Sequence, residues 1–402
     1  MTAPAPVDIS AAESYVDGPP HEWFEWLRRS DPVHWQDMAG ERGYWAVTRH
    51  ADVVEVSRQP LLFSASEGGI VLEDMDGDRL AMMRKMLLAM DPPQHVEYRK
   101  QISGEFRARV IAQMEDRIRT ICRQIMDRAA EIADVDFVHD VCAHLPSQVI
   151  GELMGLPQED WPLIQEMSER NSGGQDPDIN PDPADRGRAS VDMAMYAIGF
   201  ARARRAADAT PEDLTSVILD ADFGGEPMSD ADFGAFFVQL VTAGNDTTRT
   251  MLSSGLDALL QHPDQLAHLR EDRTLIPSAV EEILRWANPL HYFRRTATAD
   301  TRVGDTEIAA GDKLAMIYTS ANRDEEVFDD PHHFDITRDP NPHLSFGIAE
   351  HFCLGVHLAR LEGRVFFDEL LRRFDHIERT GEPARQRSNL NNSLKQLPVR
   401  LG

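Results

Sequence analysis

The stretch Phe346-Gly347-Ile348-Ala349-Glu350-His351-Phe352-Cys353-Leu354-Gly355, continued by Val356-His357-Leu358-Ala359-Arg360, carries one thiol on a glycine-flanked loop to the start of a helix. The first amide N–H groups of a helix lack partners within it and the helix dipole is positive there, so a thiolate is stabilised and able to ligate a metal. Gly347 and Gly355 let the backbone approach a flat ligand closely. An arbitrary cysteine is more often a small buried apolar residue, so the rest of the chain has to decide between the two readings.

Cys353 is one of three cysteines, with Cys122 and Cys142, far apart and odd in number, which argues against a disulfide framework. The 402 residues are 42% hydrophobic and 27% charged, the balance of a soluble globular protein large enough to enclose a cofactor. No run nears the roughly 18 to 20 apolar residues of a membrane span, and residues 1–10 lack the basic and apolar regions of a signal peptide. No membrane and a cytoplasmic location are therefore expected. The formal charge of -27 argues against nucleic acid as a partner.

No internal repeat is visible. Residues 173–188, rich in Asp, Pro and Gly, read as a mobile loop between two helices. Helical periodicity dominates, as at 106–132 and 358–374, and alternating strand-like pieces are brief, as at 44–48 and 313–317. The fold class is mainly α with small β-sheets.

The longest helix is predicted to begin after Ser229, which has Asp232 three residues on, and to stop at His262-Pro263. Its apolar stripe, Phe233, Phe236, Phe237, Leu240 and Val241, then Met251, Leu252, Leu256 and Leu259, is interrupted by Ala243-Gly244-Asn245-Asp246-Thr247-Thr248. Gly, Asn, Asp and Thr are poor helix formers, and local rules broken inside a buried helix point to a site. Ala243 and Thr247, four apart, share a face. Asp246 is turned about 100° from Thr247, which suits it to feeding protons from solvent. Elsewhere Glu282-Ile283-Leu284-Arg285 lies on a short helix predicted from near Pro277 to before Pro289, its two charged residues on one face.

In order and spacing, and over nearly the whole chain, these segments resemble the cytochromes P-450. Thiolate ligation of haem iron is an established property of that family. The resemblance implies a triangular, mainly α prism, a single catalytic domain over residues 1–402 with a short flexible N-terminus over about the first ten residues, and haem b with Cys353 as axial ligand. Phe346, Gly347, Leu354 and Gly355 then bind haem on one side, and Ala243 and Gly244 on the other. Ala349 departs from the pattern, since the family usually has a second glycine there. His95, Arg99, Arg295 and His351 match the family's propionate ligands, as buried carboxylates need charged partners. Glu282 and Arg285 match its Glu-x-x-Arg pair, with Arg338 as the third partner. Asp246 and Thr247 match its catalytic acid and alcohol, which supply the protons that cleavage of dioxygen consumes.

The activity so implied is a monooxygenase that uses dioxygen to hydroxylate a C–H bond of a hydrophobic small molecule. No flavin or iron-sulfur module is visible, so electrons are expected from NAD(P)H through a ferredoxin reductase and a ferredoxin. A monomer is expected. The ferredoxin would dock over the cysteine loop on a local basic patch drawn from Arg99, Lys100, Arg107, Arg109, His357, Arg360 and Arg364. Substrate contacts map to Met83, Met86 and Leu88 with Met82 nearby, to Leu240 and Ala243, to Leu290, His291 and Phe293, and to the tip at Asn391-Asn392. The pocket is then apolar, and its flanking segments resemble family members that hydroxylate terpenoids, sterol side chains or methyl-branched lipids. A peroxide-driven peroxygenase or coupling enzyme and a haem-binding sensor or carrier are the rivals; the acid and alcohol favour oxygen activation.

Overall fold

The computed structural model describes residues 4–182, 187–207, 212–223 and 225–402. The helices that build the site are α1 (Gln94–Ile102), α2 (Glu115–Ile132), α3 (His144–Leu153), α4 (Trp161–Ser172), α5 (Arg188–Ala206), α6 (Asp230–Gln261), α7 (Ile276–Ala287) and α8 (Val356–Arg373). The main sheet comprises β1 (Val33–Met38), β2 (Glu41–Val47), β3 (Phe63–Ser64), β4 (Tyr292–Ala297) and β5 (Lys313–Ile317), in the order β1-β2-β5-β4-β3.

α6 has the predicted ends. Ser229 Oγ caps it by accepting from the Asp232 amide at 3.1 Å, and it runs for 32 residues to His262, about 48 Å at 1.5 Å per residue. Its two apolar stretches enter different cores. Phe233, Phe236, Phe237, Leu240 and Val241 pack with α3, α4 and α5. Met251, Leu252, Leu256 and Leu259 pack with α2, α7 and α8. The polar interruption at 243–248 lies at the boundary, and the helix is continuous through it.

In the sheet β2 pairs β5 in parallel and β4 pairs β5 antiparallel, with Arg295 opposite Leu314. Strand alternation sends Phe293 and Arg295 to one face. Tyr292 and Arg294 take the other, where they hold the segment at 71–74 through Tyr292 OH to the Leu72 amide and Arg294 to Asp74.

Three sequence expectations need correction. The periodicity at 106–132 is a regular helix only from Glu115, preceded by one short turn of helix and a 3-10 turn. Residues 4–10 are not a free tail, because Ile9 is buried and its carbonyl accepts from Tyr15 OH at 3.0 Å, while residues 1–3 lie outside the described residues. The segment after α4 does join two helices, but its described part is tethered: buried Asp176 accepts from Arg387 N and Lys395 Nζ, and Asn180 donates to the Arg170 carbonyl. Residues 183–186 lie outside the described residues. Among the described residues no helix is long and apolar enough to cross a membrane.

Candidate active site

An internal cavity separates α6 from the loop before α8. It encloses about 1620 Å3 of space between protein atoms, part of it open to solvent.

On the α8 side the loop is closed by Cys353 N donating to the Phe346 carbonyl at 2.8 Å. Gly347 has φ +66° and Ala349 φ +61°. The positive φ that the family's glycine serves is thus retained here by an alanine, at about 1–2 kcal/mol of Cβ strain. Phe346, Gly347, Cys353, Leu354 and Gly355 all line the cavity. Burial pushes the Cys353 thiol up, against the Gly355 amide and the charges of Arg99 and Arg360, which pull it down. Cys122 and Cys142 are buried in the packed core, where burial raises both thiols with no such amide beside them.

Across the cavity stand Ala243, Gly244 and Thr247. Thr247 Oγ1 donates to the Ala243 carbonyl at 2.7 Å, so the hydroxyl bonds back onto its own helix. Asp246 is absent from the lining and faces α4, as its offset on the helix requires. It is buried and pairs with Arg249 at 3.1 Å, and Arg249 in turn meets Glu169 at 3.4 Å. Burial raises the Asp246 carboxyl, and Arg249 opposes this. Only Glu169 of the three is substantially exposed.

His95, Arg99, Arg295 and His351 gather at one edge of the cavity. The His95 and His351 rings lie 4.3 Å apart. Burial and the neighbouring guanidinium groups push His351 down to about 2, and burial lowers Arg99 and Arg295. Among the described residues Arg295 donates only to the Arg294 carbonyl, and His95 Nδ1 and His351 Nε2 are buried without hydrogen-bond partners, Glu350 standing 3.8 Å from His95. Two buried basic groups, His95 and Arg295, and two half-buried ones, Arg99 and His351, with so little compensation suit a ligand carrying carboxylates. The residues present therefore fit haem, a cofactor that carries two carboxylates.

Behind the loop, Glu282 and Arg285 are fully buried and paired at 2.7 Å. The Glu282 carboxylate also accepts from Arg338 Nε at 3.2 Å, from Asn341 Nδ2 at 3.0 Å and from the Asp335 amide at 3.0 Å. Every part of this carboxylate is bonded, the condition under which a buried ion pair holds a conformation. Asn341 was not foreseen; nothing in its surroundings in sequence marks it.

Of the predicted substrate contacts, Leu88, Leu240, Ala243, Leu290 and Phe293 line the cavity. Met83, Met86 and His291 do not. Met83 packs against Ala65, Ile70 and Ala89, and Met86 against the core beside Leu87. His291 precedes β4, so the alternation that turns Phe293 inward does not reach it; its ring lies tilted against Tyr15 with centroids 4.3 Å apart, and Nδ1 meets Thr319 Oγ1 at 2.9 Å. Met82 is exposed. Asn391 and Asn392 bond backbone carbonyls of Ser172 and Ala287 instead of reaching the cavity. Sequence reading missed Leu87, Gln239, Ile150, Thr248 and Glu362, all in the lining. Glu362 had a legible signal, being an acid among the apolar positions of α8. It is buried beside the Thr248 hydroxyl, and burial pushes its carboxyl up to about 8.

A cytochrome P-450 family model matches residues 188–401. The chain is 39% identical to the steroid C26-monooxygenase of Mycolicibacterium smegmatis, over 98% of this chain and 94% of that one. It is 39% identical to the methyl-branched lipid omega-hydroxylase of Mycobacterium bovis, over 94% and 90%. A solved Mycobacterium marinum cytochrome P-450 in complex with pseudoionone superposes with a TM-score of 0.91 at 35% identity, covering 100% of this chain and 99% of that one. Similarity of this extent, with relatives named as oxidising enzymes and a cavity suited to haem, makes the chain a member of the cytochrome P-450 family and a haem-dependent monooxygenase.

Proposed function

We propose that Cys353 would supply the thiolate that holds haem b and that the enzyme hydroxylates an elongated hydrophobic molecule of the terpenoid, steroid or branched-lipid kind. The observation that carries this reading is that the Cys353 loop and Thr247 face each other across one cavity whose edge gathers four buried or half-buried basic groups. When bound, haem supplies the activation of dioxygen with two electrons, one oxygen atom entering a C–H bond and the other leaving as water. His95, Arg99, Arg295 and His351 would hold its propionates, and Phe346, Gly347, Leu354 and Gly355 on one side of the cavity and Ala243 and Gly244 on the other would pack against it. Glu282, Arg285 and Arg338 keep the cysteine loop in place.

Thr247 hands a proton into the cavity. Asp246 resupplies it from behind α6, and Arg249 and Glu169 form the way out to solvent. Glu362, held protonated at neutral pH, keeps a second proton beside Thr248. Leu88, Leu240, Leu290 and Phe293 bind the substrate's apolar body and exclude water. The relatives' names place oxidation on a steroid and on a methyl-branched lipid, which agrees with this lining.

Electrons come from NAD(P)H through a ferredoxin reductase and a ferredoxin. The chain acts as one catalytic domain and a monomer in the cytoplasm. The reduced carbonyl spectrum tests the ligand: the red-shifted band of a thiolate should be present in the parent protein and in Cys122→Ala and Cys142→Ala, and absent in Cys353→Ala. A band of the histidine-ligated type would remove the thiolate. Product formation that needs NADH and both added redox proteins tests the electron source; equal turnover with peroxide alone would favour the peroxygenase.

A further inference from the structure

One polar side chain in the distal lining is not used by the chemistry above. Gln239 lies on α6, four residues before Ala243 and eight before Thr247, and all three line the cavity. Leu240 follows it on α6, and Leu87 and Leu88 are among the apolar residues of the same lining. Its carbonyl oxygen is buried without a hydrogen-bond partner, and among the described residues no group bonds the amide at either end. Burying an amide unpaired is unfavourable, whereas a leucine or methionine here would cost nothing of the kind. A side-chain amide carries a donor and an acceptor at one place and can exchange them by turning over. A ligand hydroxyl or carbonyl completes it in either orientation.

We infer that Gln239 is the polar anchor of the substrate pocket, hydrogen-bonding a hydroxyl or carbonyl group at the remote end of an elongated apolar substrate. The inference rests on the proposed hydroxylase reading and narrows its substrate class. α6 serves as the ruler: eight residues at 1.5 Å per residue put the amide about 12 Å along the helix from Thr247. The substrate is thus apolar over that span, with its reacting carbon opposite Thr247 and a single polar group near Gln239. An unfunctionalised hydrocarbon leaves the amide unpaired and binds more weakly.

The test uses haem-loaded enzyme and calorimetric affinities for three probes of equal carbon number: a long-chain methyl ketone, the corresponding secondary alcohol and the corresponding alkene. Ketone and alcohol should lose about fivefold in affinity on Gln239→Met, the size of one neutral hydrogen bond, while the alkene holds or gains. Comparing variant with parent for each probe cancels differences in solubility. Equal changes for all three probes would overturn the inference. The parent enzyme gives a second arm that does not depend on a variant folding: within a ketone series of increasing length, affinity should peak where the carbonyl lies about 12 Å from the far end. A monotonic rise with carbon number would equally overturn it. Both arms read binding directly, so a failure of the thiolate assignment shows in the carbonyl spectrum and leaves these ratios interpretable.

Discussion

Asp246 and Thr247 are neighbours in sequence that face different sides of α6: Thr247 lines the cavity, and Asp246 is held at 3.1 Å by Arg249 on the α4 side. Removing the hydroxyl by Thr247→Ala should leave substrate affinity nearly unchanged but divert electrons into hydrogen peroxide, because the proton is no longer handed over at the reacting end. Asp246→Asn should instead slow turnover, by about 100-fold if it is the main resupply. Product and peroxide formed per NADH consumed give the measurement. Unchanged coupling in Thr247→Ala would take the alcohol out of the relay.

Ala349 holds φ +61° where glycine is unstrained. Ala349→Gly relieves about 1–2 kcal/mol of Cβ strain and returns part of it through the greater freedom of the unfolded chain. A net gain of about 0.5–1 kcal/mol should appear in denaturant unfolding of the haem-loaded protein, with the carbonyl spectrum unchanged. A loss of stability would mean that the alanine methyl group makes contacts worth more than the strain.

Glu362 is raised to about 8 by burial. A carboxyl whose folded value lies above its unfolded value near 4.3 contributes stability in full below that unfolded value and loses it as pH rises towards about 8. Relative to Glu362→Gln, the parent protein should lose stability between about pH 4.5 and 8, by up to about 5 kcal/mol, and run parallel to the variant outside that window. Unfolding free energies of both proteins at several pH values decide this. A constant difference across the window would show that the carboxyl ionises freely.

The basic patch proposed for ferredoxin is smaller than the sequence offered. Arg360 is tied to Glu281 at 2.6 Å and lies over the Phe346 ring, and Arg99 lines the cavity. Lys100, Arg107, Arg109, His357 and Arg364 remain exposed. Charge reversal by Lys100→Glu or Arg109→Glu should slow first-electron transfer several-fold at low salt without altering the substrate-bound spectrum. The effect should fade as salt shortens the screening length to about 8 Å at physiological ionic strength. A rate indifferent to salt and to both reversals would place docking on another face.

Most of this site is legible in the chain because its parts are local. The cysteine loop, the capped and Pro-terminated α6 and the Glu282–Arg285 pair each declare themselves within a few residues, and the four basic groups converge as the resemblance implied. What stayed hidden depends on tertiary geometry. Met83 and His291 occupy the right segments yet point elsewhere, since one turn of backbone or the start of a strand decides which face is presented. Glu362 stands out among the apolar positions of α8, but its partner Thr248 shows only once α6 is packed against α8; Gln239 looks like any polar helix residue until it is placed in the cavity lining. The ion pair that closes off Asp246 needs Glu169, 77 residues away in sequence.

α6 belongs to two cores at once, and its weakest helix formers sit between them. Replacing alanines by Gly244, Asn245, Asp246, Thr247 and Thr248 lowers intrinsic helix stability by about 3 kcal/mol in all. The Thr247 hydroxyl also competes for the Ala243 carbonyl, a contact known to bend helices. The helix is therefore a beam stiff at both ends and compliant in the middle. A bulky guest can be admitted by flexing that middle, leaving both packed ends undisturbed, so differences in guest size should register first as curvature at 243–248.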